Sequence, residues 1–249
     1  MAGPVPAIHV FGFDFGGASM IHGIPLTDII AFAAFMTLWI GYTVLAEHRT
    51  LLGKSLSAVM VRHRRAWMRV MCDRENRVAD TALVGSLMRS VAFFASASIL
   101  VLGGLVALMG SGERAFAVYR ELPFAGSSGL EAFEVKVLLL ALVFVYAFFQ
   151  FTWCLRQFNY CCIIMGAAPQ PSDEDKVKEI FASHAARLQS LAANSFNRGL
   201  RAYYFALAMM LWFVQTWVFL VAAAVVVAVL YRREFRSKSL STLADTLNA

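Results

Sequence analysis

Charge is scarce in this chain. Only 15% of its 249 residues are Asp, Glu, Lys or Arg, while 59% are hydrophobic. Soluble domains carry roughly a quarter charged residues, so a water-solvated globule is excluded. No Lys or Arg precedes Arg49, which removes the basic start of a cleavable signal peptide, and the first apolar run is expected to be a retained helix. The four cysteines, Cys72, Cys154, Cys161 and Cys162, have no C-x-x-C spacing. That argues against a zinc site or a disulfide framework and leaves them as small apolar residues for packing.

Signatures of catalysis are missing as well. The chain has no H-E-x-x-H, G-x-S-x-G or P-loop string and no paired intramembrane carboxylates, so no nucleophile, base or metal cluster in mutual reach is expected. An enzyme is therefore not expected, and no catalytic, cofactor-binding or metal-ligating residue is assigned. His48 and His63 fall at or beyond the end of a membrane helix, where they cannot act as axial haem ligands inside a bundle. His9, Asp14 and His22 share no helical spacing that would unite them on a metal. No internal repeat or inverted pair of half-chains points to a secondary transporter.

What the sequence does have is apolar length. Four runs are long enough to cross ~30 Å of hydrocarbon at ~1.5 Å per residue, at approximately 25–46, 90–109, 135–165 and 202–231. The fourth is bracketed by Tyr203 and Tyr204 at one end and Tyr231 at the other, and reads as one straightforward crossing. The stretch from Met1 to Gly23, with Gly3, Gly12, Gly16 and Gly17 among Phe11, Phe13 and Phe15, suits an irregular or interfacial segment.

Between these runs, two amphipathic helices are expected on the cytoplasmic side, at approximately 54–82 and 172–198. On the first, Leu56, Met60, Trp67, Met71 and Val78 share a face, with Arg62, Arg65, Arg69 and Asp73 opposite. On the second, Ser172 caps a first turn of Asp173, Glu174 and Asp175, and Val177, Ile180, Phe181, His184, Leu188 and Leu191 form the apolar face. Two such helices bury their apolar faces against each other, with His184 in the core; alternatively Arg62, Arg65 and Arg69 meet anionic headgroups. The fold class is all-α, a four-transmembrane-helix bundle with two amphipathic cytoplasmic helices in a single domain.

Lys and Arg cluster after the first run and between the third and fourth, and basic loops stay cytoplasmic. This implies a multi-pass protein of a bacterial inner membrane with its N-terminus outside. Four crossings then put Arg232, Arg233, Arg236 and Lys238 on the outer side, against the same rule.

Two sets of membrane residues stand out. Arg89, Ser96, Gly103 and Gly110 recur every seven residues with Ala92 and Ala107 beside them; a face this small admits another helix closely, from the same chain or from a second subunit. In the third run Gln150, Arg156, Gln157 and Asn159 interrupt an apolar sequence. Arg156 either snorkels to phosphate at the inner boundary or lies at membrane depth, where it needs a partner such as Glu47 or Asp80.

The strings Arg64 to Asp80 (RRAWMRVMCDRENRVAD), Ser90 to Gly110 (SVAFFASASILVLGGLVALMG), Phe151 to Pro169 (FTWCLRQFNYCCIIMGAAP) and Asn197 to Phe235 (NRGLRAYYFALAMM through YRREF) resemble a bacterial and plant integral membrane family catalogued as domain of unknown function 599. The resemblance covers nearly all of the chain after the first run and implies the membrane fold without a substrate, cofactor or reaction. Expectation for function therefore rests on surfaces. The first reading is a non-catalytic scaffold or accessory subunit that binds membrane partners, further copies of itself or anionic lipid. The second is an oligomeric anion channel or small-solute pore lined by the stripe around Arg156. Nucleic acid is not an expected partner, because the arginines lie next to a membrane whose lipid is nearer.

Overall fold

The computed structural model describes residues 20–21, 24–53, 55–122, 126 and 129–246. His9, Asp14 and His22, and most of the glycine-rich N-terminal stretch, lie outside the described residues. A short hairpin, β1 (Met20–Ile21) paired antiparallel with β2 (Ile24–Pro25), leads into α1 (Leu26–Leu51). The helices α2 (Leu56–Cys72), α3 (Val78–Gly110), α4 (Gly112–Arg120), α5 (Leu130–Gly166), α6 (Asp175–Met210), α7 (Thr216–Phe235) and α8 (Lys238–Asp245) follow.

Local chemistry sets several of these boundaries. Pro25, with φ fixed near the helical value, starts α1 without losing a needed N–H. Gly53 takes φ +73° just past the helix end, a left-handed conformation that a side chain would disfavour. Ser55 then caps α2, its Oγ accepting from the Ala58 N–H at 3.1 Å.

By length and composition three helices, Leu26–Thr50, Val78–Gly110 and Leu130–Gly166, can cross a membrane. The expected fourth crossing is different. Residues 202–231 are not one helix: α6 ends at Met210, a 3-10 turn covers Leu211–Phe213, and Gln215 is extended with φ −160° before α7 begins. At this break the chain reverses. Thr216, at the start of α7, bonds Asp28 at the start of α1; Phe219 packs on Phe35 at 4.9 Å between ring centroids; and Arg49 lies 5.4 Å over the Phe235 ring at the far end. Thus α7 runs parallel to α1 and antiparallel to α6. Hydropathy could not reveal this, because the break is apolar on both sides and its freed carbonyls are satisfied by tertiary contacts. Gly126 N–H and the Tyr119 hydroxyl both donate to the Phe213 carbonyl, and Lys136 Nζ lies 3.5 Å from that of Trp212.

The reversal brings the C-terminal segment to the end of the bundle that holds α2. Glu234 Oε1 accepts from the Ser57 N–H at 3.0 Å, and the His63 ring contacts the Leu243 carbonyl at 2.9 Å. The expected separation of the basic tail from the other basic segments is overturned.

The two amphipathic helices also differ from expectation. The first ends at Cys72, since residues 78–82 already belong to α3, and the second is continuous with the apolar segment after it, making α6 a single helix of 36 residues. On α2 the buried residues are Ala58, Val59, Met68, Met71 and Cys72; only Met71 of the expected face is fully buried. On α6 the expected face points outward, with Val177 47%, Ile180 52% and Leu191 47% exposed and His184 exposed rather than in the core. Its inward face is small and polar, including Ala182, Ala185, Ala186, Gln189, Ala192 and Ser195. Small side chains let α6 approach α5 and α2 closely, and this contact outweighs the apolar pattern.

The central helix is α5, against which α3 and α6 both lie. Among lipid tails no hydrophobic force drives helices together, so close fit matters. Gly199 on α6 marks one close approach: a Cβ there would fall 2.5 Å from Phe151 Cε1. The Phe151 ring cannot retreat freely, because Phe94, Tyr203 and Phe196 surround it at 5.5, 5.6 and 5.8 Å between centroids. Gly199→Val is expected to destabilise the bundle by about 1–3 kcal/mol through overpacking, read as a lower thermal midpoint in detergent; an unchanged midpoint would show that α5 and α6 are less closely fitted here.

Candidate functional site

A buried polar cluster sits where the chain reverses. Asp28 of α1 and Lys136 of α5 are both nearly inaccessible, with side chains 3% and 5% exposed, and Lys136 Nζ is 2.8 Å from Asp28 Oδ2. The other oxygen, Oδ1, accepts from Trp212 Nε1 at 2.8 Å and from Thr216 Oγ1 at 2.6 Å. Lys136 Nζ also lies 5.0 Å from the centre of the Trp212 ring, whose other neighbours, Phe219 and Phe32, stack at 4.9 and 5.7 Å. One carboxylate thereby ties α1, α5, the turn and α7 together.

Neither Asp28 nor Lys136 stands out from the apolar runs and basic clusters of the sequence. The available signal is an acid just inside the start of one apolar run and a base just inside the start of another, since charges at such depth find each other. A buried pair adds little net stability, but removing one partner leaves the other charge uncompensated, at a cost of about 3–5 kcal/mol. Asp28→Asn is therefore expected to lower the thermal midpoint sharply. Combining it with Lys136→Met should recover part of the loss; two additive losses would argue against a coupled pair.

At the other end of the bundle, α2 and α6 are joined by ion pairs. Arg65 meets Glu179 at 2.5 Å, Arg69 meets Asp73 at 2.6 Å and Asp175 at 2.7 Å, and Lys178 Nζ reaches Asp73 at 2.9 Å and Asp175 at 3.2 Å. Arg69 and then Lys178, both hydrogen-bonded to Asp73, hold its carboxyl below the ordinary value. The same contacts, from Asp73 and then Asp175, raise Lys178. Beside this layer Asp80 is fully buried, bonded by Trp67 Nε1 and Arg74 Nη1, each at 2.6 Å.

The sign of the pH dependence follows. The depressed Asp73 contributes fully above ~3.9 and is lost as pH falls through its lowered value; the raised Lys178 contributes fully below ~10.4 and is lost as pH rises through its raised value. In a variant whose only tryptophan is Trp67, emission should stay flat from about pH 5 to 9 and change below about pH 4. A change in emission between about pH 5 and 9 would mean that these contacts do not hold α2 in place.

The residues singled out from sequence do not form one site. Arg156 is exposed and donates to its own-helix neighbour Tyr160 at 2.7 Å, while Asn159 is exposed and Gln150 half-buried. Gln157 points the other way, buried 2.9 Å from Ser195 Oγ of α6. Neither expected partner serves Arg156: Glu47 holds Arg198 at 2.8 Å, and Asp80 is taken as described. Of the proposed basic interface, Arg65 and Arg69 are engaged by α6, and Arg62 is exposed without an ion pair among the described residues.

The small-residue face of α3 turns outward. Arg89, Ser96, Gly103 and Ala107 are exposed and Ala92 is half-buried, while Val84, Val91, Ala95 and Ser98 face the bundle. A Cβ built on Gly103, Gly104 or Gly110 meets nothing within 4 Å, so no helix of the same chain occupies this face among the described residues.

A family model described as "Protein of unknown function, DUF599" matches residues 30–239. No curated protein and no solved structure matches the chain.

Proposed function

The chain belongs to the DUF599 family, and we propose that it is a non-catalytic membrane scaffold, an accessory subunit that holds membrane partners or further copies of itself. The outward small-residue face of α3 carries this reading. Such a face exposes backbone to lipid and gains little until another helix lies against it at close range. The buried charged groups Asp28 and Asp80 are meanwhile committed to structural partners, which leaves them poorly placed for chemistry on a substrate.

The proposed setting is a bacterial inner membrane with the N-terminus outside. Supporting this, the chain reversal gathers Arg232, Arg233, Arg236 and Lys238 at the same end as the arginines of α2, so every basic segment satisfies the positive-inside rule together. Anionic headgroups are then partners for exposed Arg62. A topology reporter fused after Ala249 is expected to give a cytoplasmic signal, and an external signal would remove the hairpin topology.

Native mass spectrometry from lipid nanodiscs tests the scaffold. An assembly larger than one chain is expected, and Gly103→Leu with Ala107→Leu should dissociate it while leaving the monomer folded; a lone wild-type monomer would refute the reading. The outward position of Arg156 and Asn159 favours a second reading, an oligomeric anion-permeable pore. That reading requires flux in reconstituted liposomes that Arg156→Gln abolishes.

A further inference from the structure

Away from both polar layers, residues of α2, α3, α5, α6 and α7 line a partly open cavity of about 250 Å³ whose polar lining includes Arg64, Ser90, Gln189, Asn194, Asn197 and Glu234. Three of these groups have unmet needs. Arg64 makes no ion pair or hydrogen bond among the described residues, and burial lowers its pKa from the ordinary value, although a guanidinium keeps its charge. Gln189 is 1% exposed, and its Oε1 has no donor. Glu234 gives one oxygen to the Ser57 N–H and forms no ion pair with Arg64 within 4 Å.

A cation and a carboxylate share one small cavity without pairing, against a wall that is otherwise mostly apolar, with Leu56, Met60, Leu87, Val91 and Phe158 among its residues. A guanidinium fork fits an oxyanion through parallel hydrogen bonds, whereas the remaining Glu234 oxygen and the orphaned Gln189 carbonyl both accept, and so require donors. The amides of Asn194 and Asn197, also in the lining, supply further donors and acceptors. A ligand that is negative at one end and carries several N–H donors at the other meets all of these demands. The volume lies at or below the small end of ligand sites, which run from ~300 Å³, and limits that ligand to the size of a lipid headgroup.

We propose that this cavity binds a phosphoethanolamine group, its phosphate on Arg64 and its ammonium between Glu234 and Gln189, either as a free soluble molecule or as the headgroup of a phospholipid. The proposal does not depend on the scaffold reading, since it concerns a different surface and survives whether the chain is a monomer or an assembly.

The test uses the full chain in detergent, with O-phosphoethanolamine titrated by calorimetry. Saturable binding is expected, with glycerol 1-phosphate, which lacks the ammonium, at least tenfold weaker. Glu234→Gln keeps the acceptor for Ser57 and removes only the charge, so it should weaken O-phosphoethanolamine at least tenfold and erase the preference. Arg64→Gln should abolish binding, and Arg64→Lys, which keeps charge without the fork, guards against a folding defect by retaining part of it. Nanodiscs of phosphatidylethanolamine and of phosphatidylglycerol separate the sources: loss of soluble binding only in the former assigns the lipid headgroup, and equal binding in both assigns the free molecule. No binding to wild type, equal affinity for the two soluble probes, or unchanged affinity in Glu234→Gln would overturn the proposal.

Discussion

Much of the architecture hangs on the ion pair between Asp28 and Lys136. Placed between α1 and α5, it leaves a second carboxylate oxygen to collect Trp212 and Thr216 from either side of the break. With those two residues fixed to the start of α1, the chain cannot continue past Met210 as a straight helix, and α7 must descend beside α1. Everything at the opposite end follows: Glu234 reaches the start of α2, the segment around Leu243 lies against His63, and α7 closes one wall of the Arg64 cavity.

The long apolar helices were legible because their signal is compositional and needs no knowledge of neighbours. Three of the four apolar runs correspond to long helices, with α3 beginning twelve residues before the expected 90. The fourth was misread because a break stabilised by Tyr119, Gly126 and Lys136, all distant in sequence, has no local mark beyond Gln215. The face of α6 was misread for another reason, whereas α2 turns Trp67 and Met71 inward and Arg62 and Arg65 outward as its pattern implies. Periodicity identifies which residues are apolar, but between helices at close range Ala182, Ala185 and Ala186 are preferred to Val177 and Ile180. The acids of the first turn of α6 were visible as a dipole match, whereas their service as partners of Arg69 and Lys178 required the position of α2.

Many of the ion-paired groups gather in two layers, one at the reversal and one where α2 meets the start of α6. At the reversal, burial makes the pair a matter of register, since either charge alone is costly. In the α2–α6 layer exposed groups such as Asp175 are screened by water, and the value of each contact is small, so the network orders the two helices more than it stabilises them. Arg198 and Arg201 on Glu47 stand between the layers and tie the lower part of α1 to α6. The lining of the Arg64 cavity belongs to neither, which is why its unmatched donors and acceptors stand out.

The uninterrupted course of α6 has a mechanical meaning. Its 36 residues form a rod of about 54 Å at ~1.5 Å per residue, with Asp175 and Lys178 in the ion-paired layer at one end and the Trp212 turn just past the other. A rod of hydrogen-bonded turns transmits tilt without absorbing it. A partner that displaced α2 sideways would thus lever the far turn and load the contact between Trp212 and Asp28, coupling the two faces of the protein through one stiff element.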